Sequence, residues 1–296
     1  MSLTSNGIYR FNRLLAEQYG KSKIVFYLYT ALRLFTIVLM VICAAKGYWL
    51  KSAQCFMALF FYWTPAIWER KHDTDFPPVF EVVILLFITA FFTVGEVFNF
   101  MGIVSWWDTM LHTLYGFIFT AFFFSFLEIY TKDKELKFKV SPFYSCCSAA
   151  GMTMLFGTFW EYFEFFADQV LKKDMQKDRL VDHFSTTFFD DTNVPVEINN
   201  ITSTVINVKD GDPIILNGYL DIGILDTMKD SLVAFAGVVV FCIFLILFLK
   251  SKGKNKVAAT LVPGYRDWKE EPAETQAALA KWFINLGNRK TGSNDG

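Results

Sequence analysis

Several stretches of this chain run for about 20 residues with almost no charge, the length of helix that crosses a bilayer. Such runs dictate the secondary structure. In lipid every backbone N–H and C=O must find a partner inside the protein, which favours helices. The runs fall at about 24–48, 53–68, 79–100, 108–130, 142–170 and 226–249. Of 296 residues, 53% are hydrophobic and only 19% are charged, too few to coat a soluble fold of this size. The expected fold class is an all-α polytopic membrane protein with six transmembrane helices.

Charge placement orients these spans. Lysines and arginines crowd residues 1–22, the 69–78 loop, the 131–141 loop and the start of the tail at Lys250, Lys252, Lys254 and Lys256. With six spans those four places share one side, and the positive-inside rule makes it cytoplasmic. Both termini are then cytoplasmic, in a multi-pass protein of the cytoplasmic (inner) membrane. Lys46 and Lys51 on the outer side are discordant. Arg33 is expected to snorkel to the inner interface, or else to face the bundle, and Glu81 to lie at that interface. Pro65 is expected to kink or end the second span.

Three domains follow: residues 1–22, a cytoplasmic amphipathic segment; 23–250, the membrane domain; and 251–296, a cytoplasmic tail with a short amphipathic helix over 272–286. Residues 171–225 form an extracytoplasmic cap. Within it, β-prone runs at 203–208 and 213–219 flank Lys209-Asp-Gly-Asp212, which reads as a small β-hairpin insert. The five cysteines lack metal-ligand spacing and read as small apolar helix residues. A formal net charge of −1 gives no reason to expect nucleic acid.

One apolar run ends in Gly157-Thr-Phe-Trp-Glu-Tyr-Phe-Glu-Phe-Phe-Ala-Asp168. Spacings of three and four put Glu161, Glu164 and Asp168 on one helix face. At about 1.5 Å per residue, Glu96, Asp108, His112, Asp226 and Asp230 reach the same outer-leaflet band. Seven carboxylates and one imidazole cannot all ionise there uncompensated. Protonation, a basic partner or a bound cation would each relieve them. Lys229 is expected to point away from Asp230. A divalent cation is the simplest answer, Zn²⁺, Mn²⁺ or Fe with the histidine, Mg²⁺ with carboxylates alone. The candidate ligands are Asp108, His112, Glu161, Glu164, Asp226 and Asp230. Glu161 and Asp230 are the candidate catalytic groups, with Glu96, Asp168, Trp160 and Gln176 supporting. Interfacial solvation and the helix macrodipole account as well for Asp108, Asp226 and Asp168.

The ordered motifs Trp107-Asp-Thr-Met-Leu-His112 with Gly116, Gly157-Thr-Phe-Trp-Glu161 with Glu164 and Asp168, Met175-Gln176, and Gly223-Ile-Leu-Asp-Thr-Met-Lys-Asp230 with Gly237 resemble the YjdF-like family. These are uncharacterised bacterial inner-membrane proteins, and the resemblance covers about residues 30–250. Asp-x-x-x-His at a span entry is, more loosely, similar to VanZ-like membrane proteins. The resemblance implies the architecture and site positions and names no reaction. Asp174 stands where the family pattern has asparagine, and the stretch 177–219 is longer than the linker of many relatives.

Three functions remain open. One is a metal-assisted hydrolase or transferase acting on a lipid-linked or envelope substrate. Another is a non-catalytic membrane factor with a structural cation. The third is a cation- or proton-coupled transporter, against which no matching acidic relay is visible in the inner half. Membrane lipids are the expected partners.

Overall fold

The computed structural model describes residues 22–72, 74–132 and 141–265. The expected N-terminal amphipathic segment, most of the 131–141 loop and the tail helix over 272–286 lie outside them. The chain divides into two compact units, Met1–Thr153 with Phe235–Gly296, and Met154–Ala234.

In the first unit, α1 (Lys23–Ala45) starts at Ser22, whose hydroxyl accepts the Val25 N–H. The second apolar run forms two helices, α2 (Trp49–Phe61) and α3 (Thr64–His72). Pro65 is the cause, since it has no N–H to offer the Phe61 carbonyl. The Thr64 hydroxyl donates there instead, at 2.8 Å, and Arg33 Nη2 donates to the next carbonyl, Tyr62 O, at 3.1 Å. The break is thus fully accommodated by hydrogen bonds.

Helix α4 (Pro78–Ile88) continues as a π-helix over Thr89–Val97. Trp107 Nε1 donates to Ala90 O within it at 3.2 Å. A Cβ at Gly95 would stand 3.0 Å from that oxygen and 3.3 Å from the indole nitrogen, so glycine leaves room for the contact. Lys51 Nζ caps the π-helix by donating to Val97 O at 2.8 Å, which gives that discordant lysine a local role. A short α5 (Phe100–Ile103) leads into α6 (Trp107–Lys132). The remaining long helices are α7 (Pro142–Leu171) and α8 (Ile224–Lys250), followed by a short α9 (Lys256–Ala259).

The main apolar core of this unit joins Phe76, Phe80, Phe124, Phe241, Leu245 and Val262. Beside it, β1 (Thr74–Asp75) pairs antiparallel with β8 (Gly264–Tyr265), Thr74 opposite Tyr265. The loop before α4 and the start of the tail therefore meet at one end of the unit. Helices α6 and α8 approach closely because residue 237 is glycine: a Cβ there would stand 2.0 Å from Thr113 O.

Among the described residues four helices are long and apolar enough to cross a membrane: Lys23–Ala45, Pro78–Val97, Trp107–Glu128 and Ile224–Lys250. The other two expected spans fall short for different reasons. Helix α2 has only 13 residues before the proline break, whereas α7 has 30 but is diluted by serine, threonine and glycine. Two further expectations are corrected. Arg33 is buried, as is Glu81 at 3% exposure, so neither lies at a solvated interface. Arg33 is held inside by π-contacts, 3.7 Å from the Trp63 ring and 4.9 Å from that of Tyr29.

The second unit contains three antiparallel strand pairs. β2 (Arg179–Val181) pairs with β7 (Tyr219–Asp221), and β3 (Phe184–Thr186) with β4 (Val196–Ile198). The hairpin read from the sequence forms as β5 (Thr204–Ile206) and β6 (Ile214–Leu216), Val205 opposite Ile215. Phe184 and Tyr219 pack with tilted rings, 4.5 Å between centres, and tie the first two pairs together.

Candidate functional site

Each unit contributes its own part of the acidic set. In the first unit Asp108 sits in the first turn of α6, where a carboxylate favours the helix dipole. His112 follows one turn later, and its Nε2 lies 3.7 Å from Asp108 Oδ1. Asp108 is buried and His112 half-buried, so the pair is shielded from bulk water. Glu96, in the π-helix, accepts from Gln54 Nε2 at 2.7 Å. Deeper along α6, Tyr115 donates to Thr153 O at 2.6 Å.

In the second unit, α7 turns Glu161 and Glu164 inward, each 8% exposed, while Tyr162, Phe163, Phe165 and Phe166 face outward. The three-residue spacing predicted that shared face. Trp160 Nε1 donates to Glu164 Oε1 at 2.7 Å, one turn along the helix. The Trp160–Glu164 pair had no marker in the sequence beyond this spacing.

Asp168 and Asp226 hold the segment after α7. Asp168 accepts the N–H of Met175 at 2.6 Å and of Gln176 at 2.8 Å. The Gln176 amide donates to Thr227 Oγ1 at 2.6 Å. Asp226, 2% exposed, accepts the Lys177 N–H and an Arg179 Nη2 donor, each at 3.1 Å. Gly223, at φ +108°, completes the clasp: a Cβ there would stand 2.6 Å from Gln176 Cβ. The Met175-Gln176 and Gly223–Asp230 motifs thus meet in one hydrogen-bonded structure.

Lys229 does not point away, as the sequence suggested. Its Nζ lies 3.2 Å from Asp230 Oδ1 and 3.7 Å from Asp226 Oδ1. A long flexible stem lets the ammonium reach acids one and three residues away. Sequence reasoning also passed over Arg179, one basic residue among several in a cap rich in charge. Basic partners therefore supply part of the compensation that the crowded acids require. Asp108, His112 and Asp230 each offer one atom suited to a metal ion, two carboxylate oxygens and an imidazole nitrogen.

Apolar helices of spanning length, with buried acids on their faces, define a membrane protein. The family described as predicted membrane protein (DUF2238) matches residues 24–251, and the chain belongs to that family. Comparison with curated proteins and with solved structures gives no match. The family match carries neither a YjdF-like nor a VanZ-like name.

Proposed function

We propose that this is a multi-pass protein of the cytoplasmic membrane in which Asp108 and His112 bind one divalent cation, and in which that cation serves hydrolysis or group transfer on a lipid-borne envelope substrate. The observation that carries the reading is the buried Asp108/His112 pair, a carboxylate and an imidazole one helical turn apart. Gly237 adds support. It brings α8 against α6 at Thr113, next to His112. The donor set suits Zn²⁺ or Mn²⁺ better than Mg²⁺, because it includes nitrogen. Glu161, buried on α7, is the proposed general base, with Glu164 oriented by Trp160. Asp168, Asp226 and Gln176 hold the cap segment.

Six spans with both termini inside remain part of this proposal. The β1–β8 pairing supports it by placing the 69–78 loop and the start of the tail at one end of the first unit. A structural cation without catalysis is the second reading, favoured by the clasp around Asp226, which already shows acids used to hold the chain.

Elemental analysis of detergent-purified protein tests the site. About one divalent cation per chain, lost in His112→Ala, is the expected result. Metal-free protein whose melting temperature ignores both chelator and added metal overturns the proposal. Glu161→Gln then separates the two readings. Retained metal with lost phenotype indicates catalysis, and retained metal with intact phenotype indicates a structural cation.

A further inference from the structure

Helix α8 runs into a basic turn whose charge the described chain leaves unmatched. Lys250 closes the helix, and Lys252, Lys254 and Lys256 follow at every second position. All four are exposed, and among the described residues none of their side chains has an ion-pair or hydrogen-bond partner. Residues 231–265 contain no aspartate or glutamate, so no acid offsets them nearby in sequence. The dipole of α8 favours a cation in its last turn, which accounts for Lys250 alone.

The turn is held by specific bonds. The Gly253 N–H donates to Phe248 O at 2.9 Å, and the Ser251 hydroxyl donates to the same carbonyl at 3.0 Å. Ser251 Oγ also accepts the Asn255 N–H at 3.0 Å, and Asn255 Oδ1 caps α9 by accepting the Ala258 N–H at 3.1 Å. Lys252 and Gly253 adopt φ of +52° and +78°, the left-handed conformation that turns a chain out of a helix. Ala258 is then fully buried, and Val262 joins the main apolar core. With β8 paired to β1 just beyond, the segment is fixed at both ends. Its lysines therefore stay at the end of α8.

The surface leading to this turn is apolar. Val240, Ile243 and Leu247 are exposed on α8, and spacings of three, four and three residues align them with Lys250. The stripe runs about 15 Å along a helix of spanning length and ends in positive charge. Val257, also exposed, follows Lys256. A soluble polyanion would match the lysines and leave the stripe bare. A zwitterionic lipid would cover the stripe and leave most of the lysine charge unmatched.

We infer that residues 250–256 bind the headgroup of an anionic phospholipid, with an acyl chain of that lipid along Val240, Ile243 and Leu247. Lysine meets phosphate as a point charge on a flexible stem, so four of them suit a fluid headgroup layer without a fixed geometry. No residue of the proposed cation site takes part.

The test is thermal unfolding of the full chain in neutral detergent micelles doped with phosphatidylglycerol or with phosphatidylcholine of the same acyl chains. Phosphatidylglycerol is expected to raise the melting temperature further than phosphatidylcholine, with saturation, and added salt to shrink the difference. Lys250→Gln, Lys252→Gln, Lys254→Gln and Lys256→Gln combined should unfold cooperatively in phosphatidylcholine, since these side chains touch no partner. The same variant should weaken the apparent affinity for phosphatidylglycerol at least about tenfold, while arginine at all four positions should retain it. Equal melting in the two lipids overturns the inference, as does a phosphatidylglycerol effect that survives in the glutamine variant. Free glycerol phosphate is the control for a simple phosphate site, and stabilisation by it equal to that of the lipid also overturns the inference.

Discussion

The two units bury charge by different means. In the first, Arg33 rests on aromatic faces and a carbonyl released by a helix break, and Asp108 sits beside a histidine. In the second, Asp168 and Asp226 are enclosed by peptide N–H groups, a guanidinium and an ammonium. The second arrangement supplies its own counter-charge and serves to fix a loop. The first leaves polar groups whose needs protein atoms only partly meet, and such places invite ions. Intramembrane charge therefore marks function only after the charges that secure the backbone have been accounted for.

The sharpest way to break the comparison is to disturb the packing on which the first unit depends. Gly237→Val should cost about 3 kcal/mol or more, because the added carbons collide with the Thr113 carbonyl, a backbone atom with little freedom to move. The measurement is the folded yield and melting temperature in detergent. Unchanged melting would mean that α6 and α8 do not need their close approach, and the support it lends to the cation site would fall.

The second unit should respond most to its clasp. Asp226→Asn takes the carboxylate from Arg179, while Lys229 keeps Asp230, at a cost of about 2 kcal/mol, reduced from the fully buried case because Arg179 is 43% exposed on its side chain. Hydrogen exchange should quicken at Lys177 and in β2 while α1 and α2 keep their protection. Equal loosening of both units would contradict their separate bookkeeping of charge.

A smaller effect belongs to the helix break. Thr64→Val removes the donor to Phe61 O and should cost about 1 kcal/mol, seen as faster exchange across α2 and α3. Loss of Arg33 at the neighbouring carbonyl should cost more, since a charged donor is removed.

Much of this was legible in the sequence because it depends on period and length. The helical runs, the break at Pro65, the hairpin around Lys209-Asp-Gly-Asp212 and the inward face of Glu161 and Glu164 all follow from spacing between near neighbours. What was hidden depends on partners far along the chain. Arg179 and Asp226 are 47 residues apart, and Arg33 and Tyr62 are 29 apart. No local pattern announces that a proline will free carbonyls for an arginine on another helix. The π-helix was equally silent, since Thr89–Val97 reads as an ordinary apolar run, and only the lodging of Trp107 against Ala90 and Gly95 exposes its wider turn. Depth arithmetic placed Asp226 among the candidate ligands and Asp168 beside them but could not reveal that peptide N–H groups already occupied both.

The mildest prediction concerns the exposed part of the second unit, where charge is neither buried nor crowded. Asp190 accepts the Thr192 N–H at 2.7 Å, the Thr192 hydroxyl, and the Val194 N–H at 3.4 Å. The Thr192 bonds, followed by that from Val194, hold its carboxyl below the usual aspartate range. These bonds favour the ionised form, so the folded loop binds its proton less readily than the unfolded chain. Their contribution is complete above the ordinary aspartate value of about 4 and fades as pH falls through the lower folded value. Amide protection at Thr192 and Val194 should decline over that acid range, and Asp190→Asn should remove this pH dependence. If the loop loosened at the same acid pH in the asparagine variant, another titrating group would be in control. Asp182 is the nearest competitor, because the hydrogen bond from His183 holds its carboxyl down as well. Asp182→Asn alone would then abolish the transition, which separates the two carboxylates in one titration.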